Sequence, residues 1–376
     1  MKCIILGTAY PYRGGLAAFN ERLAQKFVIQ GHNVSIITFT LQYPKVLFPG
    51  KTQYSDSPPP ADLIILRKVN AINPINWWNV GNYIRKQQPD ILIIKYWLPF
   101  MAPCFGTIVR IAKKNGVTKV ICIADNIIPH EPGFYDNIFT KYFIKQMDAF
   151  VVMSASVLKD LAQFDRKKMR ATSPHPLFDN FGTNISKQDA CHHLHLNPSK
   201  KYILFFGFIR EYKGLDILLK AFCKGGLPDD IELIIAGEFY TDRTPYLELI
   251  PEACENKIHW FDRFIADEEV KNFFCAADLL VQPYKHATQS GVTQIAYHFE
   301  LPMIVTNVGG LTEMVPDDVV GYVVEPDVDA IENAIKKYFI ENKQSLFAKN
   351  MQEEKKRFGW DRMVDTVIAL HSKMSN

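Results

Sequence analysis

Short apolar runs recur along this chain at intervals that leave room for one helix between each pair, and that rhythm constrains the fold more than any other feature. In the first half they read "KCIILG", "NVSIITF", "DLIILRKV", "DILIIKYW", "KVICIAD" and "AFVVMS". After residue 200 the rhythm restarts with "KYILFFGFI", "IELIIAG", "KIHWFDRF", "DLLVQPY", "PMIVTN" and "GYVVEP". Runs of this length predict strands, and the amphipathic stretches between them predict the helices that cover a parallel sheet on both faces. The implied class is α/β, with two doubly wound sheets. The rhythm lapses in "MRATSPHPLFDNFGTNISKQDACHHLHLNPSK", where Pro174, Pro176, Gly182 and Pro198 interrupt periodicity, so this stretch is expected to link two domains. The expected domains are 1–178 and 179–358. Near the far end, "FGWDRMVDTVIALH" sets Trp360, Met363, Val364, Val367 and Ile368 on one stripe, so a helix over 359–376 needs an apolar partner surface.

Composition serves mainly to exclude. A chain of 376 residues, 48% hydrophobic and 22% charged, can bury two separate cores. The longest uncharged apolar stretch, Tyr96 to Val109, is too short to span a bilayer and is broken by Pro99 and Pro103. The opening "MKCIILGTAYPYRGG" enters a strand at once, with no secretory leader, which leads to the expectation of a cytoplasmic protein. Seven cysteines without a C-x-x-C pair predict reduced, mostly buried thiols rather than disulfides or a structural zinc. The net charge of +3 hides a division: residues 1–180 carry 22 Lys and Arg against 11 Asp and Glu, and residues 181–376 carry 21 against 29. A basic half of this kind either attracts anionic lipid, nucleic acid or phosphorylated substrates, or is a solvated surface.

In doubly wound sheets ligands sit beyond the carboxyl ends of the strands, so the function is sought in the loops that follow them. The first, "GTAYPYRGGLAAF", places Gly14 and Gly15 before a helix, which frees backbone N–H groups for an anion or simply makes a turn; it lacks the G-x-G-x-x-G spacing of a dinucleotide site. The corresponding loop of the second half, "FFGFIREYKGLDILLKAF", offers Gly207, then Arg210 and Lys213, then Gly214 before a helix. A planar guanidinium fork and a point charge together suit a diphosphate, with surface ion pairing as the alternative. In "HATQSGVTQIAYHFELPMIVTNVGG", Ser290, Gly291 and Val292 start a helix whose N–H groups and partial positive charge complement those cations.

The loop "IADNIIPHEPGFYD" holds Asp125, Asn126, His130 and Glu131. An imidazole or carboxylate here would orient a substrate group or take its proton, with Glu131 setting the histidine tautomer; the alternative is a loop in which Asp125 and Asn126 cap backbone groups. "CHHLHL" at 191–196 has metal-binding residue types but lacks carboxylates nearby and fits no closed site. "WW" at 77–78 and "YWLPF" at 96–100 are expected to pack under a sheet. "RIAKKNGVTK" and "DRKKMR" read as solvated helix ends, or as sites of attraction to a membrane.

The stretches "RGGLAAF…LAQKFVIQGHNVSIITF", "DNIIPHE", "FFGFIREYKG" and "GVTQIAYHFELPMIVTNVGGLTEMV" together resemble a GT-B glycosyltransferase of the family 4 type, over essentially the whole chain. The resemblance implies two Rossmann-like domains facing across a cleft, with the final helix crossing back to the N-terminal domain. It also implies an acceptor on the N-terminal domain and a nucleotide-sugar donor on the C-terminal one, transfer with retention of configuration, and neither a metal nor another cofactor. The expected partners are the donor, a glycan or lipid-linked acceptor and an anionic membrane surface, with no nucleic acid. By the same resemblance Arg210 and Lys213 neutralise the departing diphosphate, Gly15, Gly207 and the Ser290–Gly291–Val292 turn contact the donor, Phe264 and Ile265 flank the base, and Gln294 meets the ribose. Most members carry two glutamates eight positions apart in this region. Aligned on Pro302 those positions fall near Ala287 and Ile295, leaving Gln289 and Gln294 as the nearest polar substitutes, and amides bond hydroxyls as donor and acceptor. Relatives also have a histidine near the Asp125 position, facing the sugar. The alternatives to a hexosyltransferase are a non-catalytic two-lobed binding protein and a nucleotide-sugar epimerase of the same fold.

Overall fold

The computed structural model describes residues 1–44, 52–55, 58–128, 133–288 and 290–375. Chain contacts divide it into two compact units, residues 1–176 with 359–376 and residues 177–358. Unit 1 runs β1 (Lys2–Leu6), α1 (Gly15–Ile29), β2 (Asn33–Leu41), β3 (Ile65–Asn70), α2 (Pro74–Gln87), β4 (Ile91–Tyr96), α3 (Ala102–Ala112), β5 (Lys119–Ala124), α4 (Asp136–Gln146), β6 (Ala149–Val152), α5 (Ala155–Phe164) and β7 (Met169–Thr172). Unit 2 runs α6 (Lys187–Leu194), β8 (Lys201–Phe206), α7 (Leu215–Cys223), β9 (Ile231–Ala236), α8 (Thr244–Leu247), α9 (Glu252–Glu255), β10 (Ile258–Phe261), α10 (Asp267–Ala276), β11 (Leu279–Gln282), α11 (Gly291–Phe299), β12 (Met303–Thr306), α12 (Leu311–Met314), β13 (Gly321–Val324), α13 (Val328–Glu341) and α14 (Gln344–Glu354). The chain then returns to unit 1 as α15 (Trp360–Ser375).

Among the described residues, unit 1 has a parallel sheet in the order β3-β2-β1-β4-β5-β6-β7 and unit 2 one in the order β10-β9-β8-β11-β12-β13. All twelve apolar runs read from the sequence are strands of these sheets. The strand order reverses between β1 and β4 in one unit and between β8 and β11 in the other. At such switch points the flanking loops diverge, and each unit gains a crevice at the carboxyl edge of its sheet. Right-handed crossovers put α2, α3 and α4 on one face of the first sheet, because β3, β4, β5 and β6 advance in one direction; α1 connects strands running the other way and takes the opposite face. There α15 buries Trp360, Met363, Val364, Val367 and Leu370, with Trp360 5.1 Å from the Phe19 ring of α1.

Three expectations need correction. The stretch expected to be a linker contains β7, a short strand of exposed and half-buried residues at the sheet edge, and α6. With one side unpaired, an edge strand needs no apolar run, so its sequence gave little signal. Cys223 and Cys254 are joined by a disulfide, their Cα atoms 5.8 Å apart, because the β9 crossover brings the end of α7 to α9; their separation of 31 residues in sequence carries no trace of this. The two tryptophans at 77–78 part company: Trp77 packs on the core and donates to the Asn70 carbonyl at 2.8 Å, while Trp78 is 60% exposed. "CHHLHL" ends α6, with Cys191 and Leu194 turned inward. No helix among the described residues is long and apolar enough to cross a membrane.

Candidate functional site

At the switch point of unit 2, β8 ends in Gly207, whose φ of +97° lies in the region that favours glycine. The adjacent strand ends in Gly237, where a Cβ would come within 2.1 Å of the Gly207 carbonyl oxygen, so the two backbones touch with no side chain between them. The chain then turns through Glu211–Lys213, a single 3₁₀ turn closed by Gly214 at φ +69°, which lies directly against the Pro283 carbonyl. This packing drives Lys213 inward. It is 8% exposed, with its Nζ 2.9 Å from where a Gly207 side chain would begin and 5.6 Å from the Tyr284 ring centroid. Burial pulls the ammonium below its ordinary value; Tyr212 opposes that and Arg210 adds to it. Among the described residues neither Lys213 nor Arg210 has an ion-pair partner. The Arg210 guanidinium lies 5.1 Å from the Tyr240 ring, and Phe208 stacks on Tyr240 at 4.5 Å and faces Phe264 at 6.2 Å. Ile265 beside Phe264 is buried.

The opposite wall is the start of α11. The Ser290 hydroxyl accepts from Gln282 Nε2 at 2.7 Å, and Thr293 Oγ1 donates to Gln282 Oε1 at 2.8 Å. Thr306 Oγ1 donates to the Tyr284 carbonyl at 2.5 Å. This buried polar cluster holds the turn from below, so the Ser290 side chain faces the sheet and supplies no cap to its own helix. The N–H groups of the first turn are therefore the part of the helix start available to an anion. Gly291 is required by Phe178, whose ring would lie 2.6 Å from a Cβ there, and a Val292 methyl lies 3.4 Å from the Gly207 position. Gly207, Lys213 and Val292 thus converge. Gln294 is completely buried, and among the described residues neither of its amide atoms has a hydrogen-bond partner. Ala287 and Ile295 are both buried. Gln289 lies outside the described residues.

At the switch point of unit 1, Gly14 is the N-cap of α1 with φ +95°, and Gly15 is the exposed first residue of that helix. Asp125 and Asn126 follow β5 and are half-buried. Asp125 Oδ1 accepts from Lys95 Nζ at 2.7 Å, and the lysine, 1% exposed, sits 3.3 Å from the Phe19 ring centroid. Burial lowers the Lys95 ammonium, and Asp125 pulls it back up. His175 is also buried. Its Nδ1 lies 2.8 Å from the Pro176 carbonyl, which can only accept, so Nδ1 carries the proton. Burial and the neighbouring Lys95 push its pKa down to about 4, which keeps the ring neutral. His130 and Glu131 lie outside the described residues. The supporting residues that sequence reasoning missed each left a trace: Lys95 is a charge inside the otherwise apolar "DILIIKYW", and Gln282 is the polar end of "DLLVQPY".

Two family models match this chain. Residues 13–173 match Glycosyltransferase Family 4, and residues 200–340 match Glycosyl transferases group 1. Among curated proteins, the chain is 22% identical to N-acetyl-alpha-D-glucosaminyl L-malate synthase of Bacillus anthracis, over 86% of this chain and 84% of that one. It is 23% identical to D-inositol 3-phosphate glycosyltransferase of Xylanimonas cellulosilytica, over 76% and 72%. Among solved structures, sucrose-phosphate synthase from Thermosynechococcus elongatus superposes with a TM-score of 0.73 at 16% identity, covering 100% of this chain and 98% of that one. HepE from Anabaena, in complex with UDP-glucose, superposes with a TM-score of 0.72 at 15% identity and the same coverage. Two parallel sheets, a family 4 domain in the first unit and a group 1 domain in the second place this chain in the GT-B glycosyltransferases.

Proposed function

We propose that this glycosyltransferase moves a hexose or related sugar from a nucleoside diphosphate to an acceptor hydroxyl with retention of configuration, in the synthesis of a surface polysaccharide or glycolipid. The observation that carries the reading is Lys213, a buried cation with no counter-charge among the described residues, aimed at the same point as the start of α11. Leaving a charge so placed is unfavourable unless a ligand supplies the opposite one. A diphosphate does so, and HepE, in complex with UDP-glucose, supports the same ligand class here. As the bond from the anomeric carbon to the diphosphate breaks, negative charge grows on the leaving oxygen. Lys213, Arg210 and the first N–H groups of α11 meet that charge without a metal. The acceptor oxygen bonds to the anomeric carbon, and its proton passes to the departing diphosphate, so no protein base is needed. Phe208, Tyr240 and Phe264 offer apolar surface for the base.

The test is a screen of nucleotide sugars scored by diphosphate release with and without acceptor, on the native chain and on Arg210→Ala and Lys213→Ala. Each variant is expected to lose turnover equivalent to roughly 2–4 kcal/mol of barrier as well as donor affinity. Unchanged turnover in both removes them from the reaction, and donor conversion without acceptor identifies an epimerase instead. Peripheral attachment to a membrane was expected through the basic runs 110–119 and 165–170. Two of their cations are ion-paired, Lys113 with Asp148 and Arg170 with Asp165, while Lys168 and Arg166 donate to backbone carbonyls and keep their charge.

A further inference from the structure

Two segments of unit 2 leave the candidate site and meet again on the far side of the sheet. One passes through Arg210 and Lys213 into α7, whose nine residues end at Cys223. The other leaves β9, passes Tyr240, crosses through α8 and α9 and reaches Cys254 shortly before β10 begins. Because β8, β9 and β10 are parallel, both segments run from the carboxyl edge of the sheet to its amino edge. At the first edge the Arg210 guanidinium lies 5.1 Å from the Tyr240 ring; at the second the Cys223–Cys254 disulfide joins them. Between these ends Tyr246 of α8 is buried, its ring 5.6 Å from that of Phe239. α8 and α9 have four residues each, too few for their own backbone bonds to hold them, so α9 depends on what it is fastened to.

That fastening is open to attack. A cavity of about 300 Å³ is lined by Leu227, Ile231, Pro251, Ala253, Lys257 and both cysteines of the disulfide. Cys223 is half-buried and Cys254 is 7% exposed, so Cys223 offers the easier approach. Lys257 brings a cation to the lining; Asp229 pairs with it at 2.6 Å, but the aspartate side chain is wholly exposed, and water weakens such a pair. The species that attacks a disulfide is a thiolate, an anion whose rate depends on access; exposed disulfides are the labile class. The other five cysteines do not compete. Cys3, Cys104, Cys122 and Cys191 are buried, Cys275 is half-buried, and burial raises the pKa of every one of these thiols.

We propose that the Cys223–Cys254 disulfide is a redox switch, opened through this cavity by a low-molecular-weight thiol, which fastens α9 to α7 when closed and frees the segment from Tyr240 to Cys254 when open. The thiolate attacks Cys223 Sγ, the bond between the two cysteine sulfurs breaks, and Cys254 leaves as a thiolate that takes a proton from water. A second thiolate attacks the sulfur of the added thiol and releases Cys223, so two thiols become one disulfide while the protein gains two electrons and two protons. The bond opens whether or not the site binds a donor, so the proposal is independent of that reading. The experiment equilibrates the full chain in glutathione buffers running from oxidised to reduced. Mass spectrometry reads the bond, trypsin cleavage after Arg243 and Lys257 reads the segment, and thermal melting reads the fold. The expected results are a glutathione adduct at Cys223, cleavage several-fold faster in the reduced chain and a melting temperature lower by roughly 5–10 °C. Cys223→Ser/Cys254→Ser should match the reduced chain in every buffer. Ala253→Phe, at an exposed position of the lining, should slow opening by glutathione several-fold and leave the melting of the oxidised chain unchanged. Failure of the pair to form in oxidised glutathione overturns the proposal, as does a bond that survives reduced glutathione until the chain unfolds. Adducts confined to Cys254, opening that Ala253→Phe leaves equally fast, or a reduced chain that melts and is cleaved like the oxidised one overturn it too.

Discussion

Each sheet brings one lysine to its carboxyl edge and buries it, and the two units treat the charge in opposite ways. Lys95 stands on a strand of unit 1 with Asp125 at 2.7 Å, so its compensation is built into the fold. Lys213 stands on a short turn in unit 2 and has no acidic partner among the described residues. A buried pair is permanent architecture, whereas a buried cation without a partner is a site kept ready for something that arrives. The same residue type is paired in one unit and lacks an acidic partner among the described residues in the other, and the proposed binding role of Lys213 rests on that difference in counter-charge.

The largest expected effect comes from breaking the paired lysine. Lys95→Met removes the buried ion pair with Asp125 and should cost about 3–5 kcal/mol of stability in urea unfolding, with much of this recovered in Lys95→Met/Asp125→Asn. A double variant no more stable than the single one would show that Lys95 matters for packing on Phe19 rather than for its charge.

His175, beside the same pair, should give unit 1 a sensitivity to acid. Its folded-state pKa of about 4 lies below the ordinary 6.5, so the unfolded chain binds the extra proton first. The contribution to stability is fully present above about pH 6.5 and is lost as the pH falls toward 4, about 3 kcal/mol in all. Unfolding measured across that window should show this slope in the native protein and a shallower one in His175→Gln. Equal slopes would place the acid sensitivity in other groups.

The smallest effect has the opposite sign. Lys213→Met removes an uncompensated buried charge, and the unliganded protein should gain about 1 kcal/mol even as transfer fails. Added nucleoside diphosphate should stabilise the native protein and this variant much less. If Lys213→Met and Lys95→Met destabilise the unliganded chain alike, the contrast between the units disappears.

Most of the fold was legible because burial on both faces of a parallel strand leaves an unbroken apolar run, as "DILIIKYW" and "PMIVTN" do. Edge strand β7 needs no such run and was lost in the expected linker. At the site, Arg210, Lys213 and the Ser290–Gly291 turn were readable from charge and glycine following a strand. What could not be read was direction. Nothing in "TQSGVTQ" says that the Ser290 hydroxyl turns down to Gln282 while the backbone turns outward, and nothing in the spacing of Lys95 and Asp125 says that the two meet. Those facts depend on the neighbouring strand, which a linear pattern does not contain.

The return of α15 to unit 1 sets the order in which the protein can be finished. Domains tend to fold as they emerge during synthesis, N-terminal first. Here Phe19 and its neighbours on α1 are covered by Trp360, which leaves the ribosome only after all of unit 2. Until then the nascent first unit holds an open apolar flank beside its buried ion pair. It must wait, partly assembled, while its companion is made.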